Sequence, residues 1–99
     1  HETNKETAIR EVTEETGLQV STKTLIGSIN YSFIRASDQM LCHKIVYFYL
    51  MEAIGGSFED HDHEFDEVKW VGATECLQVL THQNEINMVN QAINIIRKQ

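Results

Sequence analysis

The chain has 99 residues, of which 41% are hydrophobic, and a formal net charge of −7. This length and apolar content predict one small folded domain over residues 1–99 rather than a disordered chain. The acidic charge argues against nucleic-acid binding through a basic patch, and no apolar run approaches the roughly 18 residues of a membrane span. Cys42 and Cys76 lack metal-ligand spacing and are interpreted as reduced thiols, which with the missing signal peptide predicts a cytoplasmic protein.

A helix is predicted over residues 4–16. The pattern Thr3-x-x-Glu6 fits a capping box at its start. Gly17 is placed to end it, because glycine adopts the left-handed conformation that follows many helices without strain.

Three glutamates share one face of this predicted helix, since residues three and four apart are neighbours. They are Glu11, Glu14 and Glu15. Like charges at this spacing cost a few tenths of a kcal/mol per pair, which a bound cation would offset. Carboxylate oxygens suit Mg²⁺ or Mn²⁺ better than Zn²⁺. The alternative is an ordinary solvated face.

The middle of the chain predicts a β-hairpin. Polar and apolar residues alternate over 25–33, which indicates a strand with one buried face. Residues 36–39 are interpreted as a turn. Residues 42–53, rich in β-branched and aromatic side chains, indicate a strand buried on both faces, which Gly55 and Gly56 would break.

The last third predicts a loop, a strand and two helices. Residues 57–66 are polar without periodicity and are interpreted as a loop, followed by a short strand over 67–71. Thr74 is expected to cap a short helix, and Thr81 or Asn84 a second one. The second helix repeats Ile and Val at helical spacing, which predicts a face packed in the core.

The N-terminal segment closely resembles the Nudix box, a pattern of glycine, glutamate, arginine and clustered glutamates at fixed spacing. Eight positions fit it: Glu2, Arg10, Glu11, Val12, Glu14, Glu15, Gly17 and Leu18. The opening glycine of the box would precede His1. The resemblance implies an α/β fold, an α/β/α sandwich around a mixed sheet, here without its first strands and glycine loop.

The same resemblance implies Mg²⁺-dependent hydrolysis (or Mn²⁺-dependent) of pyrophosphate bonds in nucleoside diphosphate derivatives. Matched to the box, Glu11, Glu14 and Glu15 are the expected metal ligands. Arg10 is expected to orient the neighbouring glutamates, and Glu2 to support the metal site; Glu14 is also a candidate catalytic residue.

Further site residues are implied later in the chain. Glu64 is the expected additional carboxylate, as ligand or general base, with Glu67 as its rival. The segment H-K-I-V-Y-F-Y-L over 43–50 resembles Nudix hydrolases of the diadenosine tetraphosphate type. This implies that Lys44 meets a phosphate with His43 beside it, and that Tyr47, Tyr49 or the intervening Phe48 stacks on a base, depending on the register of the strand.

Several alternatives remain open at the level of the sequence. The substrate of a Nudix enzyme could instead be an oxidised nucleoside triphosphate, ADP-ribose or an RNA 5′ end. The alternative outside the enzymes is a catalytically silent Nudix fold used for binding. The box also lacks its opening glycine in this sequence, which leaves open that this chain itself is inactive. Uncovered sheet edges would favour a homo-oligomer.

Overall fold

Helices flank a long antiparallel hairpin in the computed structural model, which describes residues 1–62 and 67–99. The elements are α1 (Asn4–Thr16), β1 (Leu18–Ile34), β2 (Leu41–Gly56), a short 3₁₀ turn (Phe58–Asp60), α2 (Ala73–Val79) and α3 (Gln83–Arg97). The predicted α/β class is confirmed, and the sheet of the described residues contains β1 and β2. None of the helices in this part of the chain is long and apolar enough to cross a membrane.

The first helix has the predicted bounds and both predicted caps. The backbone N–H of Glu6 donates to the Thr3 hydroxyl over 3.1 Å, and the Thr3 N–H donates to the Glu6 carboxylate over 3.0 Å. Gly17 has φ +78° and donates its N–H to the carbonyl of Thr13 over 2.8 Å. Local sequence therefore defines α1 at both ends.

The hairpin is longer than predicted, and its pairing has three irregularities between Gln19 and Gly27, in the half of β1 that is far from the turn. From Gly27 to Ile34 the pairing with β2 is continuous: Gly27 lies opposite Phe48, and Tyr31 opposite Lys44. The turn between the strands is closed by a hydrogen bond from the Arg35 N–H to the Met40 carbonyl, 2.9 Å long.

Helices α1 and α3 lie on opposite faces of the hairpin. A Cβ atom built on Gly27 would point at Met88 of α3, 3.1 Å from its methyl carbon, so the face that includes Gly27 and Ile29 is turned to α3. Ile29 is 8% exposed and is the most buried apolar side chain of the described residues. Residues Ile45 and Tyr47, on the other face of β2, border α1.

The prediction that β2 is buried on both faces is wrong. Ile45 is 53% exposed, because the two helices cover only part of the sheet. The strand also continues through the two glycines and ends at Gly56, whose φ of +83° only glycine adopts freely.

The strand predicted over 67–71 does not form. These residues make no ladder with β1 or β2, and Trp70 is 72% exposed. Without a neighbouring strand to take up its backbone hydrogen bonds, a short apolar run has no reason to remain extended in a sheet.

The predicted helix caps in the last third are also wrong. Gly72 precedes α2, with Thr74 inside the helix, and His82 precedes α3. Neither N-terminus has a side-chain cap hydrogen bond. The apolar face of α3 is half-buried, with Ile96 exposed, so the expected core packing is only partial.

The packing as a whole is open. The radius of gyration is 15.2 Å, compared with about 13 Å for a compact domain of this length. Large apolar side chains are exposed along the hairpin and beyond it.

Candidate functional site on the first helix

Arg10 joins two glutamates that are twelve residues apart in the chain. Its Nε lies 3.0 and 2.9 Å from the carboxylate oxygens of Glu2, and its Nη1 lies 3.2 Å from an oxygen of Glu14. Thr7 donates a further hydrogen bond to Glu2 over 3.3 Å. The planar guanidinium thus contacts both carboxylates at once, a role that a lysine fulfils less well.

The contacts in this network shift the pKa values of Arg10 and Glu2. Hydrogen bonding to Glu2, and secondarily to Glu14, raises the pKa of Arg10. The same contact with Arg10 lowers the pKa of Glu2, mildly opposed by desolvation. Glu2 therefore stays ionised to more acidic pH than a free glutamate does.

Glu11 and Glu15 differ from Glu14 in lacking a cationic partner among the described residues. Both are exposed on the same helix, and neither takes part in the ion pairs found for Glu2 and Glu14. Within residues 1–62 and 67–99, no three His, Cys, Asp or Glu side chains converge on a common point. The helix thus presents two carboxylates available to a cation rather than a closed metal cage.

A cleft of about 290 Å³ separates α1 from β2. It is lined by Asn4, Thr7, Ala8 and Glu11 on the helix and by residues 44–47 on the strand. Glu11 therefore faces a space whose other wall carries Ile45 and Tyr47, so a ligand bound to the carboxylate would also touch the strand.

The strand residues implied as substrate contacts are divided between its two faces. Phe48 pairs with Gly27 on the α3 face, and alternation puts Lys44 on that face too. His43, Tyr47 and Tyr49 lie on the α1 face; the imidazole Nδ1 of His43 is 2.9 Å from the Ser32 hydroxyl.

The segment after β2 is attached to the C-terminal end of α1, a contact that the sequence did not predict. Ser57 donates its N–H to the Gly17 carbonyl over 3.2 Å, and Asp62 donates its N–H to the Glu14 carbonyl over 2.8 Å. The one signal for it in the sequence is Gly17, which by itself predicts only the end of a helix. This attachment brings residues 57–62 next to the glutamate face.

The predicted carboxylate Glu64 lies outside the described residues. Its rival Glu67 is exposed and belongs to no helix or strand.

Comparison with known sequences identifies the family of this chain. The NUDIX domain family matches residues 1–92, so the helix with its Arg10-linked glutamates belongs to a Nudix domain. The chain is a member of the Nudix family. It is also 40% identical over 97 residues to a putative mutator protein, MutT4, of Mycobacterium tuberculosis (strain CDC 1551 / Oshkosh). That match covers 98% of this chain and 38% of the length of the mycobacterial protein.

Proposed function

We propose that this domain hydrolyses a pyrophosphate bond in a nucleoside diphosphate derivative with the help of a divalent metal ion. The observation that carries the proposal is that the glutamates of α1 have different contacts. Arg10 fixes Glu2 and Glu14, while Glu11 faces the cleft beside β2. Membership of the Nudix family supports the same chemistry.

The carboxylates available on α1 fit Mg²⁺, with Mn²⁺ as a substitute. Magnesium is commonly held by one or two protein carboxylates together with substrate phosphates and water, so a closed cage of three ligands is not needed. Glu11 and Glu15 would hold it; Glu14, the third ligand that the Nudix box implies, contacts Arg10 here and would reach the ion by giving up that contact. The bound ion would neutralise the pyrophosphate charge and lower the pKa of an attacking water.

The remaining residues would position the substrate and accept a proton from the attacking water. Arg10 holds the Glu14 carboxylate at 3.2 Å, and Glu14 is our candidate for accepting the proton of the water. Glu64 remains an alternative base. Tyr47 and His43 would contact the substrate from the strand, because they share the face that borders α1.

For the substrate we favour a nucleoside polyphosphate of the diadenosine tetraphosphate type, on the sequence likeness around His43 and Lys44. An oxidised nucleoside triphosphate is the competing substrate, and the relation to a protein named as a putative mutator makes it the first to compare. Cys42 and Cys76 are both free thiols, which fits the predicted cytoplasmic location.

The proposal is tested by replacing the available carboxylates singly. Glu11→Gln and Glu15→Gln keep the size of the side chain and remove its charge. We expect Mg²⁺-dependent release of nucleotide products to fall by at least about 100-fold, as in the loss of one transition-state contact worth roughly 3 kcal/mol. Turnover would be followed by chromatography of products from diadenosine tetraphosphate, ADP-ribose and 8-oxo-dGTP.

Glu75→Gln is the matched control, since Glu75 is an exposed glutamate in the first turn of α2. It should leave turnover unchanged. Calorimetric titration with Mg²⁺ or Mn²⁺ gives a second readout that does not depend on turnover: Glu11→Gln should weaken metal binding, and Glu75→Gln should not. Full activity in both Glu11→Gln and Glu15→Gln would remove the assignment of the metal site.

A further inference from the structure

The outer edge of β2 has no strand beside it in the part of the chain that the structure describes. β1 and β2 pair only with each other there, so each strand has one edge whose backbone N–H and carbonyl groups lack a strand partner. Both α1 and α3 contact β1 more than they contact β2, so these two helices leave the β2 side of the hairpin largely uncovered. An open edge of this kind can pair with a further strand.

The two edges differ in the features that protect a strand from such pairing. β1 has register shifts at Lys23 and Ile26, each an extra residue without a partner on β2, and bulges of this kind twist an edge away from other strands. The regular part of β1, residues 27–34, alternates with serine and asparagine on one face. In β2, residues 41–53 pair without a shift, and residues 45–51 include neither a charged residue nor a proline. The β2 edge is therefore the one suited to accept a strand.

The exposed area of the chain is large enough to contain a stable interface. It totals 7618 Å², whereas a compact monomer of 11.4 kDa exposes about 5800 Å² by the usual scaling with mass. The excess of roughly 1800 Å² is larger than the ~800 Å² that each partner buries in an interface of standard size. Part of the exposed area is apolar and lies on β2, where Leu41 and Ile45 are more than half exposed.

The positions of the charges on β2 select a second copy of the chain as the partner. Within residues 41–53 the formal charges are those of Lys44 and Glu52, and Phe48 lies midway, four residues from each. If two copies of the strand pair antiparallel with Phe48 at the centre, Lys44 of each copy lies opposite Glu52 of the other. Opposite charges in directly paired positions stabilise a sheet, and like charges destabilise it. A chain of net charge −7 thus has one edge that is complementary to itself.

Both charged side chains are available for this pairing. They are exposed, and they lie on the same face of β2 as Phe48 because side chains alternate along a strand. Lys44 takes part in none of the ion pairs found among residues 1–62 and 67–99, and Glu52 lies 2.9 Å from Lys23. A carboxylate has two oxygens, so Glu52 can accept hydrogen bonds from Lys23 and from a second lysine.

We propose that two copies of the chain form a dimer by antiparallel pairing of their β2 edges about a two-fold axis at Phe48, with Lys44 of each copy opposite Glu52 of the other. The product is a four-stranded sheet with the two β2 strands at its centre. A two-fold interface uses the β2 edge of both copies, so association stops at the dimer. The pairing also sets Tyr49 of one copy opposite Tyr47 of the other, on the face that borders the cleft beside α1. The inference does not depend on the proposed hydrolysis.

The test is a pair of charge reversals, followed by sedimentation velocity of the 99-residue chain over a range of concentrations. The unaltered chain should change from a monomer to a species of twice the mass as its concentration rises. Lys44→Glu or Glu52→Lys alone sets two like-charged pairs across the axis, and each should raise the Kd of the dimer roughly 10-fold or more. An equimolar mixture of the two variants has opposite charges at both positions, so it should dimerise about as tightly as the unaltered chain.

Lys69→Glu and Glu75→Lys are the matched controls, because they change the net charge by the same amounts at exposed positions outside the hairpin. Neither should change the Kd by more than about twofold, since charges distant from the interface are screened by salt. Circular dichroism checks that each variant is folded. If a reversal unfolds the chain, Lys44→Gln and Glu52→Gln replace the reversals, and each should weaken the dimer while Glu75→Gln does not.

The inference is overturned if the unaltered chain stays monomeric at every concentration, or if its association continues beyond the dimer. It is equally overturned if the reversals weaken the dimer no more than the controls do. A dimer that both reversals weaken but that mixing fails to restore also overturns it, because Lys44 and Glu52 would then not be paired across the axis. All of these measurements are made without substrate or metal, so failure of the proposed hydrolysis would leave their results unchanged.

Discussion

Replacing Gly17 by alanine tests how the glutamate helix is joined to the segment after β2. Gly17 is buried and has φ +78°. An alanine Cβ at this position would overlap the carbonyl oxygen of Ser57 and lie 2.9 Å from backbone atoms of Asp60 and His61. These neighbours are backbone atoms, so no side-chain rotation can relieve the overlap and the segment must move.

The cost can be estimated from two contributions. A non-glycine residue in the left-handed region loses about 1–2 kcal/mol, and displacing the segment loses the hydrogen bond from Ser57 to Gly17, worth about 1 kcal/mol. We therefore expect the free energy of unfolding to fall by about 2–4 kcal/mol. For a domain of this size the melting temperature should drop by roughly 10–20 °C.

Urea unfolding followed by circular dichroism measures the change, with Gly72→Ala as the control. Gly72 has φ −60°, and its added Cβ would approach nothing closer than 3.9 Å. That variant should lose less than about 1 kcal/mol, the usual difference between glycine and alanine at a helix start. If Gly17→Ala were as stable as Gly72→Ala, the attachment of residues 57–62 to α1 would be refuted.

Three further predictions concern α1 and the exposed hairpin. Arg10→Leu should raise the pKa of the Glu2 carboxyl toward its ordinary value in an NMR titration, because the contact with Arg10 is the largest cause that lowers it; an unchanged pKa would contradict the network. The pKa of Glu2 is lower in the folded than in the unfolded state. The ionised carboxylate therefore stabilises the fold above the unfolded pKa, and this stabilisation is lost as the pH falls through the folded pKa. In Arg10→Leu, stability should depend less on pH over this acidic range. Thr3→Ala should cost about 1 kcal/mol of stability by removing the cap hydrogen bond from Glu6, measured by urea unfolding against Thr24→Ala. The exposed strand edges and apolar side chains should cause concentration-dependent association, and a compact monomer with a cooperative melt at all concentrations would count against it.

The glutamates of α1 differ in their electrostatic surroundings. Like-charged glutamates at helical spacing oppose one another by a few tenths of a kcal/mol per pair. Arg10 offsets this for Glu14, four residues away, and links it to Glu2 ahead of the helix. Glu11 and Glu15 keep their repulsion, which a divalent cation would relieve. This difference between the glutamates explains why neutralising Glu11 should preserve the fold while weakening metal binding.

The sequence by itself determined α1 completely. Its capping box, its glycine end and the spacing of its glutamates all act within one or two helical turns, so they need no tertiary context. The hairpin was also predictable in outline, because alternation and the turn residues are local. The strand over 67–71 and the caps of α2 and α3 were not. A strand requires a neighbour to accept its hydrogen bonds, and the residue at which each of these helices begins depends on packing, because neither helix has a side-chain cap.

Only the tertiary structure decided which side chains meet. Side chains alternate along a strand, so a shift of one residue in the pairing exchanges the two faces of β2. The observed pairing of Gly27 with Phe48 separates Lys44 and Phe48 from Tyr47 and Tyr49. In the same way, the contact between Gly17 and Ser57 joins residues 40 positions apart. This contact lies directly beyond the pairing of Leu18 with Gly56, so it depends on the register of the whole hairpin and not on any pattern within α1.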